Sequence, residues 1–197
     1  MFTTTVQPTV QYQDNLRNAE SNLHVGNITQ ALRYLDQAAE IEPSAPEASR
    51  YRIQIRGNIA QTLAQRNNKS QATQFINVAL KQVEQYIQTG AGGASPYRYQ
   101  ANLYKIAATY NLLPNAREKE EQAMLQAINR SPYNISDRIE LADLYLKLGI
   151  NEKAKSQYHK AIELSDLYYL DPGKQLTEKQ KNYITQQLQN LQNQNDS

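Results

Sequence analysis

The sequence contains no cysteine and no tryptophan, and it has only two histidines. Without cysteine, the chain cannot form a disulfide bond, present a thiolate nucleophile or build a cysteine-type zinc site. The two histidines, His24 and His159, are isolated in the sequence, which is more typical of ordinary surface residues than of a metal pair. We therefore expect neither a metal site nor a cofactor.

Motifs of common catalytic chemistries are also missing. Gly92 and Gly93 are not followed by the Lys-Ser/Thr pair of a phosphate-binding loop, and no G-x-S-x-G or H-E-x-x-H pattern occurs. The segment "REKEE", residues 117–121, clusters carboxylates, but its spacing spreads them around a helix, as in a solvated face with i,i+4 ion pairs. The sequence predicts that the chain is not an enzyme and has no catalytic residues.

A strong net charge and long apolar runs are lacking too. The net charge of +2 is too small to favour nucleic acid as a partner. No segment approaches the roughly 18 apolar residues of a membrane span, and the first residues, "MFTTTVQPTVQ", lack the apolar core of a signal peptide. We expect a chain that does not itself insert into a membrane. The chain would be cytoplasmic, or periplasmic if it is a fragment of a membrane protein. Whether it is complete, and which oligomeric state it has, stay open.

Helical periodicity runs along nearly the whole chain. Apolar residues recur at i, i+3, i+4 and i+7, strand-like alternation is nearly absent, and most prolines and glycines fall between the periodic segments. Residues 141–165, "LADLYLKLGINEKAKSQYHKAIELS", give the clearest case, with two amphipathic helices joined at Gly149. Alanines at positions 142, 154 and 161 would let those helices pack closely. The pattern predicts an all-α chain of helical hairpins.

Similar sets of small and apolar residues occur in "VGNITQALRYLDQAAEIEP", "IAQTLAQRNNKSQATQFINVAL" and "LYKIAATYNLLP" with "REKEEQAMLQAINRSP". Together with residues 135–166 they resemble the tetratricopeptide repeat, a helix-turn-helix unit with a period of about 34 residues. The resemblance implies an all-α fold, a right-handed α-solenoid of about four such repeats with a C-terminal capping helix. Approximate repeats are expected at 12–45, 47–89, 97–132 and 133–168, within an array at 12–170. A disordered segment is expected at 1–11, and the capping helix with a frayed tail at 171–197.

Two residues are unusual within the predicted helices. Gly57 lies inside a predicted helix, where glycine costs roughly 1 kcal/mol relative to alanine. Either a partner's backbone approaches at this glycine, or the helix is weak. Glu120 stands where a small residue is usual.

In this family, the first helices of the repeats line a concave groove that binds extended peptides or partner helices. The resemblance implies these groove residues: Arg17, Glu20, Gln54, Asn58, Gln61, Gln65, Tyr104, Lys105, Ala108, Ile139, Glu140, Asp143 and Lys147. The alternative is that they are merely solvent-facing helix residues. Members that clamp a C-terminal carboxylate use Lys, Arg and Asn at set positions. Here Gln, Gly57, Tyr104 and Asp143 stand there, so that use is not expected.

We therefore expect a non-enzymatic scaffold for protein–protein interaction that binds a peptide or a partner protein in the groove. Groove amides and tyrosine rings could equally hold a glycan. A narrower resemblance suggests an alternative, because "YRIQIRGNIAQ", "ASPYRYQANLYKIAATY" and "AINRSPYNISDRIELADLYLKLG" are similar in order to the repeat region of bacterial O-antigen ligase or polymerase-type membrane proteins. That resemblance implies an accessory periplasmic domain of a glycan-transfer protein.

Overall fold

This computed structural model describes residues 6–43 and 45–193 of the chain. These residues form helices and turns, without a β-strand among them, which confirms the all-α prediction. The helices are α1 (Val6–His24), α2 (Ile28–Ile41), α3 (Pro46–Gln65), α4 (Lys69–Gln88), α5 (Ser95–Thr109), α6 (Ala116–Arg130), α7 (Ile135–Lys147), α8 (Asn151–Leu167) and α9 (Glu178–Asn193). A single 3-10 turn, Pro172–Lys174, precedes α9.

The chain forms two compact units, Met1–Ala123 (unit 1) and Met124–Ser197 (unit 2), and the boundary falls inside α6. In unit 1, α1 packs against α2, α3 packs against α4, and α5 packs against both α3 and α4. In unit 2, α7 packs against α8, and α9 also packs against α8. Each range expected for a repeat contains most of one successive pair of helices. The division of the chain into repeats stays a proposal.

Left-handed residues close the turns inside the four helix pairs. Gly26 (φ 75°) and Gly149 (φ 71°) lie in the α1–α2 and α7–α8 turns, and Asn67 (φ 62°) and Asn111 (φ 53°) lie in the α3–α4 and α5–α6 turns. Glycine has no Cβ to clash in this region, and asparagine tolerates it better than most side chains. Part of the chain's abundant asparagine therefore serves to reverse its direction at low cost.

The core of unit 1 interleaves alanines with larger apolar residues. Ala60 on α3 and Ala72, Ile76 and Ala79 on α4 are fully buried. All four belong to one continuous cluster that also includes Leu103 of α5. Small side chains at the contacts let the helix axes approach each other, as the spacing of the alanines predicts.

Gly57 and Glu120 are both buried in the structure. A Cβ placed on Gly57 would lie 3.2 Å from Leu103 Cδ2 and 3.8 Å from Ile106 Cδ1. Gly57 therefore lets α5 approach α3, a role that the sequence alone did not indicate. Glu120 is buried on α6, where its carboxylate accepts a 2.8 Å hydrogen bond from Arg117.

A buried polar cluster joins α2, α3 and α4. Arg56 on α3 donates to Asp36 on α2 at 2.8 Å and to Gln82 on α4 at 3.1 Å. Arg52, one turn earlier on α3, lies 3.7 Å from the same carboxylate. Burial lowers the pKa of Arg52, and Asp36 opposes that shift. One carboxylate thus faces two arginines, so the relative position of these three helices depends on Asp36.

The N-terminal boundary differs from the prediction. α1 begins at Val6, so residues 6–11 are helical rather than disordered, whereas residues 1–5 lie outside the described part. Pro8 is the third residue of α1. Proline is tolerated there because the backbone N–H groups of a first turn have no helical acceptor. At the other end, α9 reaches Asn193, and the rest of the expected frayed tail, residues 194–197, lies outside the described part.

α9 has the features predicted for a capping helix. Thr177 and Gln180 form a capping box, in which Gln180 Oε1 accepts from the Thr177 N–H at 2.9 Å and Thr177 Oγ1 accepts from the Gln180 N–H at 3.3 Å. Ile184 and Leu191 are buried, and Ile184 joins a cluster that includes Tyr158 of α8. α9 therefore covers apolar surface of unit 2 with one face and presents polar residues on the other.

Candidate functional site on the first helices

Four amide side chains form a row along α3. They are Gln54, Asn58, Gln61 and Gln65, and all four are exposed. Their spacing of four, three and four residues puts them on one face of the helix, opposite the buried side that carries Ile53. Among the described residues, none makes a hydrogen bond to these amide groups. This amide row therefore presents unused donors and acceptors to a ligand.

A cavity of about 360 Å³ opens between α1, α2 and α3. This α1 cavity is lined by Leu16, Ala19, Glu20, Leu23, His24, Leu35 and Tyr51. Arg17 is, like Glu20, a predicted groove residue on α1. It is exposed and lies 3.6 Å from Asp14. An exposed ion pair of this kind contributes little to stability. The feature of α1 that could receive a ligand is the cavity.

Most of the α1 cavity was not predicted from the sequence. Of its lining, Glu20 alone was among the predicted groove residues. Leu16 and Leu23 lie seven residues apart and therefore share a face of α1, which is a signal for buried surface. Whether that face closes or leaves a cavity depends on Tyr51, which α3 supplies from the opposite side. The Arg50 guanidinium lies 5.0 Å from the centroid of the Tyr51 ring, a cation–π contact.

On α5, one of the three predicted groove residues is fully exposed. Lys105 points to solvent, whereas Tyr104 and Ala108 are half-buried and pack against the core of unit 1. The Lys119 ammonium of α6 lies 5.6 Å from the centroid of the Tyr104 ring. Burial, and to a smaller extent the charge of Glu84, raises the pKa of Tyr104. Tyr104 is therefore largely an internal packing residue.

In unit 2, the predicted groove residues on α7 fall into two classes. Glu140 and Lys147 are exposed. Ile139 is half-buried and packs against the core cluster to which α9 contributes Ile184. Ile139 therefore contributes to the packing of unit 2, and its role as a groove residue stays a prediction.

Asp143, another predicted groove residue, makes hydrogen bonds within unit 2. Its Oδ1 accepts a hydrogen bond from the Tyr158 hydroxyl of α8 at 2.5 Å and another from the Tyr183 hydroxyl of α9 at 2.8 Å. The two tyrosine rings meet edge to face with centroids 6.4 Å apart. Burial and the hydrogen bond to Asp143 raise the pKa of Tyr158. Asp143 therefore ties α7, α8 and α9 together.

The described residues offer no group of three or more His, Cys, Asp or Glu side chains placed to hold a metal ion. Within the same part of the chain, every helix is too short or too polar to cross a membrane. The candidate site thus has two parts in unit 1: the amide row on α3, and the α1 cavity, whose lining includes Tyr51, three residues before Gln54 on α3.

No protein-family model matches the sequence, and a search of curated proteins also found no match. Solved structures do match. A MamA double mutant ("MamA RS-1 ArsTM double mutant") is 18% identical, with 83% of this chain and 78% of that chain covered and a TM-score of 0.59. A MamA fragment beginning at residue 41, from Desulfovibrio magneticus RS-1, is 18% identical, with coverage of 82% and 77% and a TM-score of 0.58.

Another structure of MamA protein is 13% identical, covers 92% of this chain and 90% of that chain, and has a TM-score of 0.57. At such low identity these similarities concern the fold alone. They give no support to the narrower resemblance to O-antigen ligases.

Proposed function

We propose that this chain, whose fold is that of the tetratricopeptide-repeat proteins, is a protein-interaction scaffold that binds an extended peptide segment along the exposed face of α1 and α3. Proteins with this fold are typically scaffolds rather than enzymes. The observation that carries the proposal is the amide row, Gln54, Asn58, Gln61 and Gln65, whose side chains are exposed and unpaired among the described residues.

The geometry of the row suits a peptide backbone. From Gln54 to Gln65 the row covers eleven residue steps of α3, which is about 16.5 Å at a rise of 1.5 Å per residue. An extended chain rises about 3.3 Å per residue, so a segment of about five residues matches the row. Each amide can both donate and accept a hydrogen bond, as each peptide unit does. A ligand that pairs with the row therefore needs no particular side chains at these points.

A peptide-display selection followed by affinity measurements tests this proposal. Gln61→Arg places bulk and charge in the middle of the row, and we expect it to weaken the selected peptides at least about tenfold, or roughly 1.4 kcal/mol. Gln74→Arg is the matched control, because Gln74 is an exposed amide on α4, away from the row. Equal effects of the two substitutions, at an unchanged melting temperature, would contradict the proposal.

A further inference from the structure

We infer that the α1 cavity selects the ligand, by receiving an apolar side chain of the bound peptide while Glu20 pairs with a basic residue next to it. This inference rests on the proposed function and deepens it. It assigns the ligand class as an extended peptide that carries a large apolar residue beside a lysine or an arginine.

The walls of the cavity fit an apolar side chain. Leu16, Leu23 and Leu35 supply aliphatic surface, and Tyr51 supplies a ring. The volume of about 360 Å³ lies in the usual range for ligand pockets. An apolar side chain gains free energy by leaving water for such surface, whereas a polar group placed against the leucine walls would lose hydration without a hydrogen-bond partner there.

Two residues keep the cavity open. Ala19 is buried on α1 at the edge of the cavity, where a larger side chain would fill the space. Tyr51 forms the opposite wall, and Arg50 lies over its ring, which restrains the ring's position. The cavity is therefore bounded by residues of α1, by Leu35 of α2 and by Tyr51 of α3.

The charge at the rim argues for a basic neighbour. Glu20 is exposed, and no described residue pairs with its carboxylate, whereas nearby Arg17 lies beside Asp14. Glu20 is also the only acidic residue in the cavity lining. An unpaired carboxylate next to apolar walls attracts a cation that arrives with an apolar side chain. Arg50 places positive charge on the α3 side, so the ligand's cation is directed toward α1.

Selections from a displayed library of random peptides test the inference on the full chain. We expect enriched peptides to carry Leu, Ile, Met or Phe within two residues of Lys or Arg. Glu20→Lys should weaken these peptides at least tenfold, and a new selection on that variant should favour Asp or Glu at the same position. Glu84→Lys, the same charge change at an exposed site on α4, should leave the affinity within twofold.

The cavity is tested separately by filling and by opening it. Leu23→Phe should weaken the enriched peptides at least fivefold, and Tyr51→Ala should do the same by removing a wall, with circular dichroism confirming the fold of both. The inference is overturned if enriched peptides lack the apolar–basic pair or if Glu20→Lys acts no more strongly than Glu84→Lys. If Gln61→Arg still weakens binding in that case, only the role given to the α1 cavity is contradicted. If Gln61→Arg also has no effect, the peptide site of the proposed function is contradicted as well.

Discussion

Gly92 lies directly against the side chain of Tyr86. A Cβ at position 92 would collide with the Tyr86 hydroxyl and lie 2.6 Å from its Cζ, and the backbone φ of 82° also disfavours any other side chain. Gly92→Ala should therefore destabilise unit 1 by about 2–4 kcal/mol through steric overlap and backbone strain together. Thermal unfolding followed by circular dichroism measures the effect.

Gly90→Ala is the matched control for that substitution. Gly90 has a similar φ of 71°, but a Cβ there would meet nothing within 4 Å. Only the backbone cost of about 1–2 kcal/mol then applies. If both variants lower the melting temperature equally, the contact with Tyr86 is not what requires glycine at position 92.

Among single residues, those that could be predicted from the sequence are packing residues. Ala142 and Ala161 recur at helical spacing and are fully buried, because close helix contacts leave room for nothing larger. Gly57 could not be interpreted in this way. The same local signal fits a weak helix, a partner's approach or a close contact, and only the position of Leu103 on another helix decides between them.

At the scale of elements, the attachment of α9 depends on more than its apolar stripe. Tyr183→Phe removes the hydroxyl that donates to Asp143, so we expect a loss of about 0.5–1.5 kcal/mol and faster amide hydrogen exchange in α9. Tyr169→Phe is the control, because Tyr169 is 71% exposed in the connection before α9. Unchanged exchange in the Tyr183 variant would show that Ile184 and Leu191 alone hold the helix.

The helices and their turns follow from local signals, but the docking of α9 does not. Capping by Thr177 and Gln180 and the apolar stripe of α9 are readable in the sequence, and both are present in the structure. Nothing in that stripe says that Tyr183 reaches Asp143 on α7. The contact of Asp143 with α9 therefore could not be predicted from the sequence, and its groove role stays a prediction. The exposure of the amide row is easier to predict, because its four members share one face of a single helix.

At the scale of the whole molecule, the raised pKa values of buried tyrosines predict that the folded chain loses stability in alkaline solution. Burial and the nearby Glu47 raise the pKa of Tyr12 to about 12, and burial also raises the pKa values of Tyr86 and Tyr158. The unfolded chain loses these protons near pH 10, before the folded chain does. Stability is therefore fully present below pH 10 and falls above it, by up to about 1.4 kcal/mol per pH unit for each such tyrosine.

Urea denaturation at pH 8, 9, 10, 11 and 12 checks this prediction. The midpoint should change little between pH 8 and 9 and then decrease steeply. Tyr12→Phe should make the decrease between pH 10 and about 12 shallower, since the variant has no phenol to ionise at that position. A midpoint that stays constant to pH 11, or the same slope in both proteins, would contradict the role given to these buried groups.

We propose above all that a peptide lies along the amide row of α3. Photo-crosslinking tests this proposal without replacing a member of the row, with benzoylphenylalanine placed at Thr62, an exposed neighbour of Gln61, in one variant and at Gln74 on α4 in another, each incubated with a selected peptide. We expect a crosslink from position 62, mapped by mass spectrometry to the middle of the peptide, and little or none from position 74. Equal crosslinking from both positions, or none from position 62 at saturating peptide, would contradict the proposal.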